Sequence, residues 1–186
     1  MMNRRLVWIA VAALAAVALL IWALRGDQST GPEVAEDVIE VATPTPAPEE
    51  RVVLVFPGRS GMLHPELRTV PLPAEIDQRV RVVLRELLSG SQERRAPVVP
   101  YQGEVLGVYI DGSGNAFVDL TGPPEPMTGS HSELMLVYGV VNSILLNCPE
   151  LQGVQVLFSG HEVSTLSGHL DLSRPLALNK RLIASS

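Results

Sequence analysis

Apolar residues follow three regimes along this chain. Leu6–Leu24 is apolar throughout, Gly26–Glu50 is acidic and Pro-containing, and from Arg51 onward the pattern switches between periods of two and 3.6. Arg51–Phe56 (RVVLVF), closed by Pro57-Gly58, predicts a strand, and Glu66–Leu72 predicts a second, ended by Pro71 and Pro73. Ala74–Leu88 predicts a helix, because Ile76, Val80, Val83, Leu84, Leu87 and Leu88 share one stripe. Glu75–Arg79 and Asp77–Arg81 are spaced as i,i+4 pairs, and Gly90 stands where a helix terminates. Val105–Asp111 and Asn115–Leu120 predict strands joined through Gly112-Ser113-Gly114. Both alternating sets of the first are mostly apolar, which predicts a strand buried on nearly both faces. Pro123, Pro124 and Pro126 then interrupt. A helix follows from Ser130, and Val154–Ser159 is a last strand; residues 167–176 read as irregular. The order ββαββαβ predicts an α+β fold: a two-layer sandwich with a mixed or antiparallel sheet and two helices on one face.

The helix from Ser130 carries the sharpest signals. Ser130 and Glu133 have the S-x-x-E spacing of a capping box, in which the hydroxyl and the carboxylate satisfy first-turn donors reciprocally. This reading outweighs a Ser/His/Glu catalytic cluster, since side chains so close at a helix start do not converge on one substrate atom. No charge occurs from Leu134 to Cys148. Its apolar positions form no single stripe: Leu134, Val141 and Leu145 point one way, Leu136 and Val140 another, Met135 and Leu146 a third. Such a helix is buried nearly all round. Either the rest of the chain covers it, or one side meets another protein; Leu136, Val140 and Leu146 are the candidate interface.

The front of the chain sets the compartment. Leu6–Leu24 is about 28 Å long as a helix, close to the roughly 30 Å hydrocarbon core of a bilayer. Arg4 and Arg5 precede it, so residues 1–25 read as a cytoplasmic tip and membrane anchor with the C-terminal part outside the cell membrane; a cleaved signal peptide is the rival reading, which the length of the run and the lack of a clean small-x-small site at Trp22–Arg25 disfavour. Residues 26–50 carry seven acids and no Lys or Arg, a solvated tether. Residues 51–186 are then the folded domain. That domain has 11 basic and 13 acidic side chains, which argues against nucleic acid as a partner. The lone Cys148 can form no internal disulfide and reads as a small buried apolar residue.

Candidate chemistry is sparse. His161, Glu162, His169 and Asp171, with His64 and His131 elsewhere, match no established zinc spacing. Tyr101, Tyr109 and Tyr138 could stack on wall glycan, although core or turn tyrosines are the ordinary case. No phosphate-cradling Gly loop precedes a helix. The expectation is a non-enzymatic protein without cofactors that associates with itself or with other envelope proteins, close to peptidoglycan.

Six stretches taken in order resemble a known family: VVLVFPGRSGMLHPELRTVP, VRVVLRELLSG, VPYQGEVLGVYIDGSGNAFVDLT, GSHSELMLVYGVVNSILL, VQVLFSG and SGHLDLSRPL. Together they resemble the GerMN domain of sporulation and spore-germination proteins, over about Arg51–Pro175. The resemblance implies a fold similar to ring-building motifs and a non-enzymatic, extracytoplasmic role in envelope assemblies. The best-known family member is a lipoprotein with two such domains in tandem; this chain has one, and no Cys follows its apolar run.

Overall fold

The computed structural model describes residues 47–123 and 129–185; the predicted anchor, the tether up to residue 46 and residues 124–128 lie outside them. Strands β1 (Glu49–Pro57) and β2 (Leu63–Pro71) precede helix α1 (Ile76–Leu88). Strands β3 (Val105–Ile110) and β4 (Asn115–Leu120), helix α2 (Ser130–Asn147) and strand β5 (Gly153–Phe158) follow, with a short 3-10 turn at Lys180–Leu182. The order is the predicted ββαββαβ, and the fold is α+β. The strands divide into two sheets: β1 and β2 form an antiparallel pair, while β3, β4 and β5 form a mixed sheet with β4 parallel to β5. β1 begins at Glu49, inside the stretch predicted as tether, because Glu49 and Glu50 pair with Pro71 and Val70.

α1 buries Val80, Val83, Leu84 and Leu87, the stripe its periodicity predicts. Its end is set by Gly90, at φ +88°, whose N–H donates to the Leu87 carbonyl. The predicted i,i+4 pairs are replaced by longer-range partners. Arg79 reaches Glu150 at 2.7 Å and the Asn147 carbonyl at 3.0 Å, and Arg81 points to the Val108 carbonyl at 3.4 Å.

Strand β3 departs from its predicted two-sided burial. A register shift between Val105 and Gly107 changes the alternation, so that Val105, Val108 and Ile110 pack on the core. Leu106 and Tyr109 face outward, 51% and 66% exposed.

α2 explains its own composition. It lies against the free edge of β1, where a further strand would otherwise pair, and so has core on two sides. Leu136, Val137, Val140, Val141 and Ile144 join the main core with α1 and the inward faces of both sheets. Met135 joins Val55 and Leu63 in a second, smaller cluster, and Leu146 packs against that cluster. The polar residues supply what a neighbouring strand would have supplied. Asn147 accepts from the Val53 N–H and donates to the Val53 carbonyl, each at 2.8 Å. Ser143 Oγ accepts from the Val55 N–H at 3.1 Å. Asn142 makes the same two-way contact with the backbone of Asn179, at 2.9 and 3.0 Å, tying down the C-terminal stretch. Gly139 permits the close approach of Val98, since a Cβ there would stand 2.5 Å from a Val98 methyl.

Glu133 is fully buried, and the predicted capping box does not form. The helix starts one residue early, on Gly129, so Ser130 lies inside the first turn without a capping bond. The Glu133 carboxylate instead collects donors more than thirty residues away. It accepts from the hydroxyls of Thr165 (2.6 Å) and Ser167 (2.8 Å) and from the N–H groups of Leu166, Ser167 and His169 (2.7–3.1 Å). Residues 165–169 thus wrap the carboxylate as a nest of donors. Burial pushes the pKa up, but the Thr165 and Ser167 hydroxyls and the Leu166 and Ser167 amides outweigh it and hold the group at about 2.

A second buried carboxylate organises the segment after α1. Glu66 pairs with Arg68 at 2.7 Å, both nearly inaccessible to solvent. Arg68 also donates to the Glu86 carbonyl (2.8 Å), the Ser89 hydroxyl (2.9 Å) and the Gly90 carbonyl, neutralising the carbonyl end of α1. Glu66 accepts from the Ser91 hydroxyl at 2.6 Å and the Gln92 N–H at 3.0 Å. Burial raises its pKa, and the contacts with Ser91, Arg68 and Gln92 bring it down to about 2.

Both carboxylates therefore titrate below their unfolded value of 4.5. Their contribution is complete above pH 4.5 and is lost as pH falls toward 2, on the order of 3 kcal/mol each. Chemical denaturation should show the domain losing stability steeply between pH 4.5 and 2, with a shallower loss in Glu133→Gln; an unchanged slope in that variant would contradict the assignment. Asn147→Leu leaves the Val53 N–H and carbonyl without partners and should cost about 2–3 kcal/mol in urea unfolding. Wild-type stability in Asn147→Leu would show that α2 does not seal the β1 edge.

Candidate functional site

The candidate interface at Leu136, Val140 and Leu146 needs correction. Leu136 and Val140 are 1% and 0% exposed within the chain itself, and Leu146 is half-buried against the smaller cluster. The side of α2 that seemed surplus in sequence is taken up by β1 and by the C-terminal stretch. Ser130 and Glu133, predicted as a structural cap, are separated in role: Ser130 is exposed, and Glu133 anchors the 165–169 loop.

The histidines do not gather. His169 lies 3.6 Å from Glu133 through Nδ1 and 3.3 Å from the Ser167 hydroxyl, at the rim of the nest. His161 bridges to Phe158 through the backbone. His64 hydrogen-bonds Ser60 at 2.9 Å, and His131 is exposed beside Gly61. Among the described residues, no three His, Cys, Asp or Glu side chains are placed to hold a metal ion. Asp171 is occupied by Ser173, whose hydroxyl and N–H lower its pKa. Cys148 is fully buried, and burial pushes its thiol up to about 11, so it is a packing residue rather than a nucleophile.

The three tyrosines separate clearly. Tyr101 is half-buried and donates to the Thr121 carbonyl at 2.9 Å; burial raises its pKa to about 12. Tyr138 packs partly buried against both clusters. Tyr109 alone is open to solvent, its ring 6.2 Å from that of Phe117 on the neighbouring strand.

Two surfaces have the geometry of binding sites. The first is built by β3, the edge strand of its sheet. Its outward face carries Leu106 and Tyr109, with Phe117 beside them. Its free edge runs along α1, where Arg81, Arg85, Glu104 and Val105 line a cavity of about 280 Å³. No charge occurs between Val105 and Ile110, so the strand lacks the charged residues that usually blunt an exposed edge. The residues that flag this surface, Leu106 and Phe117, escape sequence reasoning because the register shift that turns Leu106 outward has no sequence signature.

The second is a cleft of about 790 Å³ between the β1–β2 turn and the segment after α1. Arg59, Ser60 and His64 line one wall, and Arg94 and Arg95 the other. Its arginines come from stretches some thirty-five residues apart, so only the fold brings them together.

Comparison with known proteins adds the family. The Germane family model, described as sporulation and spore germination, matches residues 53–164, more than half of the chain. No curated protein matches it in sequence. Among solved structures, a candidate lipoprotein from Clostridium perfringens aligns at 17% identity and a TM-score of 0.48, covering 69% of this chain and 87% of that one. The tandem GerMN domains of the sporulation protein GerM from Bacillus subtilis align at 19% identity and a TM-score of 0.48, over 70% of this chain and 46% of theirs. The chain thus spans less than half the length of that tandem. The first GerMN domain of the same protein aligns at 18% identity and a TM-score of 0.47, covering 71% and 98%. On the strength of the family match across the β1-to-β5 core and beyond, the chain belongs to the GerMN (Germane) family of sporulation and spore-germination proteins.

Proposed function

We infer that this protein is a membrane-tethered, extracytoplasmic and non-enzymatic module that docks protein partners in a cell-envelope assembly. The observation that carries the reading is the exposed Leu106 and Tyr109 on β3, a strand without charged residues whose outer edge, among the described residues, pairs with no other strand and meets only Arg81 of α1 at the Val108 carbonyl. An exposed strand edge offers a row of backbone donors and acceptors, and an extended segment of another protein can add to it as a further strand. Alternate side chains of that segment would rest on Leu106 and Tyr109. Arg81 and Arg85 on α1 flank the same edge, so the fitting partner is an extended segment with acidic residues on the α1 side. The apolar Leu6–Leu24 run and the acidic stretch after it support placement at the membrane with the domain held outside. Family membership supports a place in sporulation or germination.

The exposed Tyr109–Phe117 pair favours one other reading, in which the aromatic face stacks on glycan of the cell wall. Membership of a protein assembly is the better fit, since the edge and its two arginines have no role in sugar stacking.

A photo-crosslinking residue placed at position 109 of the full chain, in the membranes of its own cells, tests the reading. A discrete protein adduct is expected at 109, absent when the crosslinker sits at Thr69 on the other sheet, and reduced at least tenfold by Leu106→Glu. Equal adducts at 109 and 69, or none at either, would remove the docking reading. Retention of the protein on purified peptidoglycan, lost in Tyr109→Ala, would favour the glycan reading instead.

A further inference from the structure

We propose that the cleft between the β1–β2 turn and the segment after α1 binds a phosphate-bearing ligand. The inference goes beyond the docking surface on β3 and does not depend on it. Arg59, Arg94 and Arg95 stand with His64 around one cavity. The one acid on its wall is Glu93, which is already paired with Arg95 at 2.6 Å. Among the described residues, Arg59 and Arg94 make no ion pair, and the buried Nε of Arg95 donates to nothing. Arg95 therefore has bonding capacity left on a guanidinium that is partly exposed at the cleft, the group whose planar fork matches the oxygens of phosphate.

The cleft is built rather than incidental. Successive side chains of an extended segment point to opposite sides, yet Arg94 and Arg95 line the same wall. The backbone of Arg94 makes this possible: its φ of +58° is a left-handed conformation that costs a non-glycine residue about 1 kcal/mol or more. That segment is also held in place from below. The buried Glu66 carboxylate receives the N–H groups of Gln92 (3.0 Å) and Glu93 (3.4 Å). On the facing wall, His64 lies over Gly58, where a Cβ would stand 2.2 Å from the ring, and its Nε2 meets Ser60 Oγ at 2.9 Å. His64 and Glu66 are two residues apart on β2, so one strand fixes both walls.

These features match the recognition of phosphate esters: several arginines around one cavity, a hydrogen-bonded Ser60–His64 pair beside them, and fixed walls. The volume falls in the range of small-molecule sites and exceeds a bare phosphate, which points to a phosphorylated head group or polyol. A soluble phosphate ester and a lipid head group share this chemistry.

The test uses the full chain in zwitterionic detergent micelles, with the Nε–H of Arg95 observed by NMR. Inorganic phosphate, glycerol phosphate and phosphatidylglycerol added to the micelles are the three probes. A saturable shift of the Arg95 signal with at least one probe is expected, weakened at least tenfold in the Arg59→Gln, Arg94→Gln double variant and unchanged in Arg174→Gln. A response to glycerol phosphate identifies a soluble ester; a response to phosphatidylglycerol alone identifies a lipid head group. No saturable shift with any probe, or an undiminished one in the double variant, would overturn the proposal. Both substituted arginines are exposed, so the variant should fold, and its unfolding midpoint checks this directly.

Discussion

A few side-chain hydrogen bonds from α2 to backbone groups of other segments hold this domain together. A sheet edge buried in a core must have its N–H and carbonyl groups satisfied, and β1 has a strand on only one side. Asn147 and Ser143 supply the missing partners, Asn142 fastens the C-terminal stretch at Asn179, and Glu133 gathers the 165–169 loop. Each polar group is placed where an apolar one would leave backbone donors stranded. The helix can be apolar everywhere else because it has core on both sides. Buried carboxylates act the same way for two loops: Glu133 for the loop after β5, Glu66 for the loop after α1.

Much of the fold was legible in the sequence, and the failures share one cause. The helices and strands follow from periods of 3.6 and two, and Gly90 marks the end of α1 where expected. The all-round apolarity of α2 implied burial nearly all round, and most of its side chains are buried. What covers it did not follow, because β1 and Asn179 are distant in sequence; so Leu136 and Val140 read as an interface and are core. Glu133 failed as a capping residue for a related reason. Local spacing reveals Ser130 three residues away but not the five donors around residue 167, which win by number and burial. On β3, one extra residue in the ladder reversed the face on which Leu106 lies.

The same division holds for function. The family signature and the apolar front of the chain are sequence features. The two proposed binding surfaces are products of the fold: one from a register shift, the other from arginines delivered by separate loops. They lie on different parts of the domain, the β3 edge along α1 and the cleft at the β1–β2 turn. Their chemistries differ as well, one suited to an extended protein segment and the other to a small anion. With both proposed sites, the domain could bind a protein partner and a phosphate group without either excluding the other.

Amide hydrogen exchange tests the central claim most directly. If α2 serves as a side-chain substitute for a strand, the amides of Val53 and Val55 should exchange as slowly as that of Val118 in the middle of the second sheet. Exchange of Val53 and Val55 as fast as that of Ile110, on the open edge of β3, would contradict it.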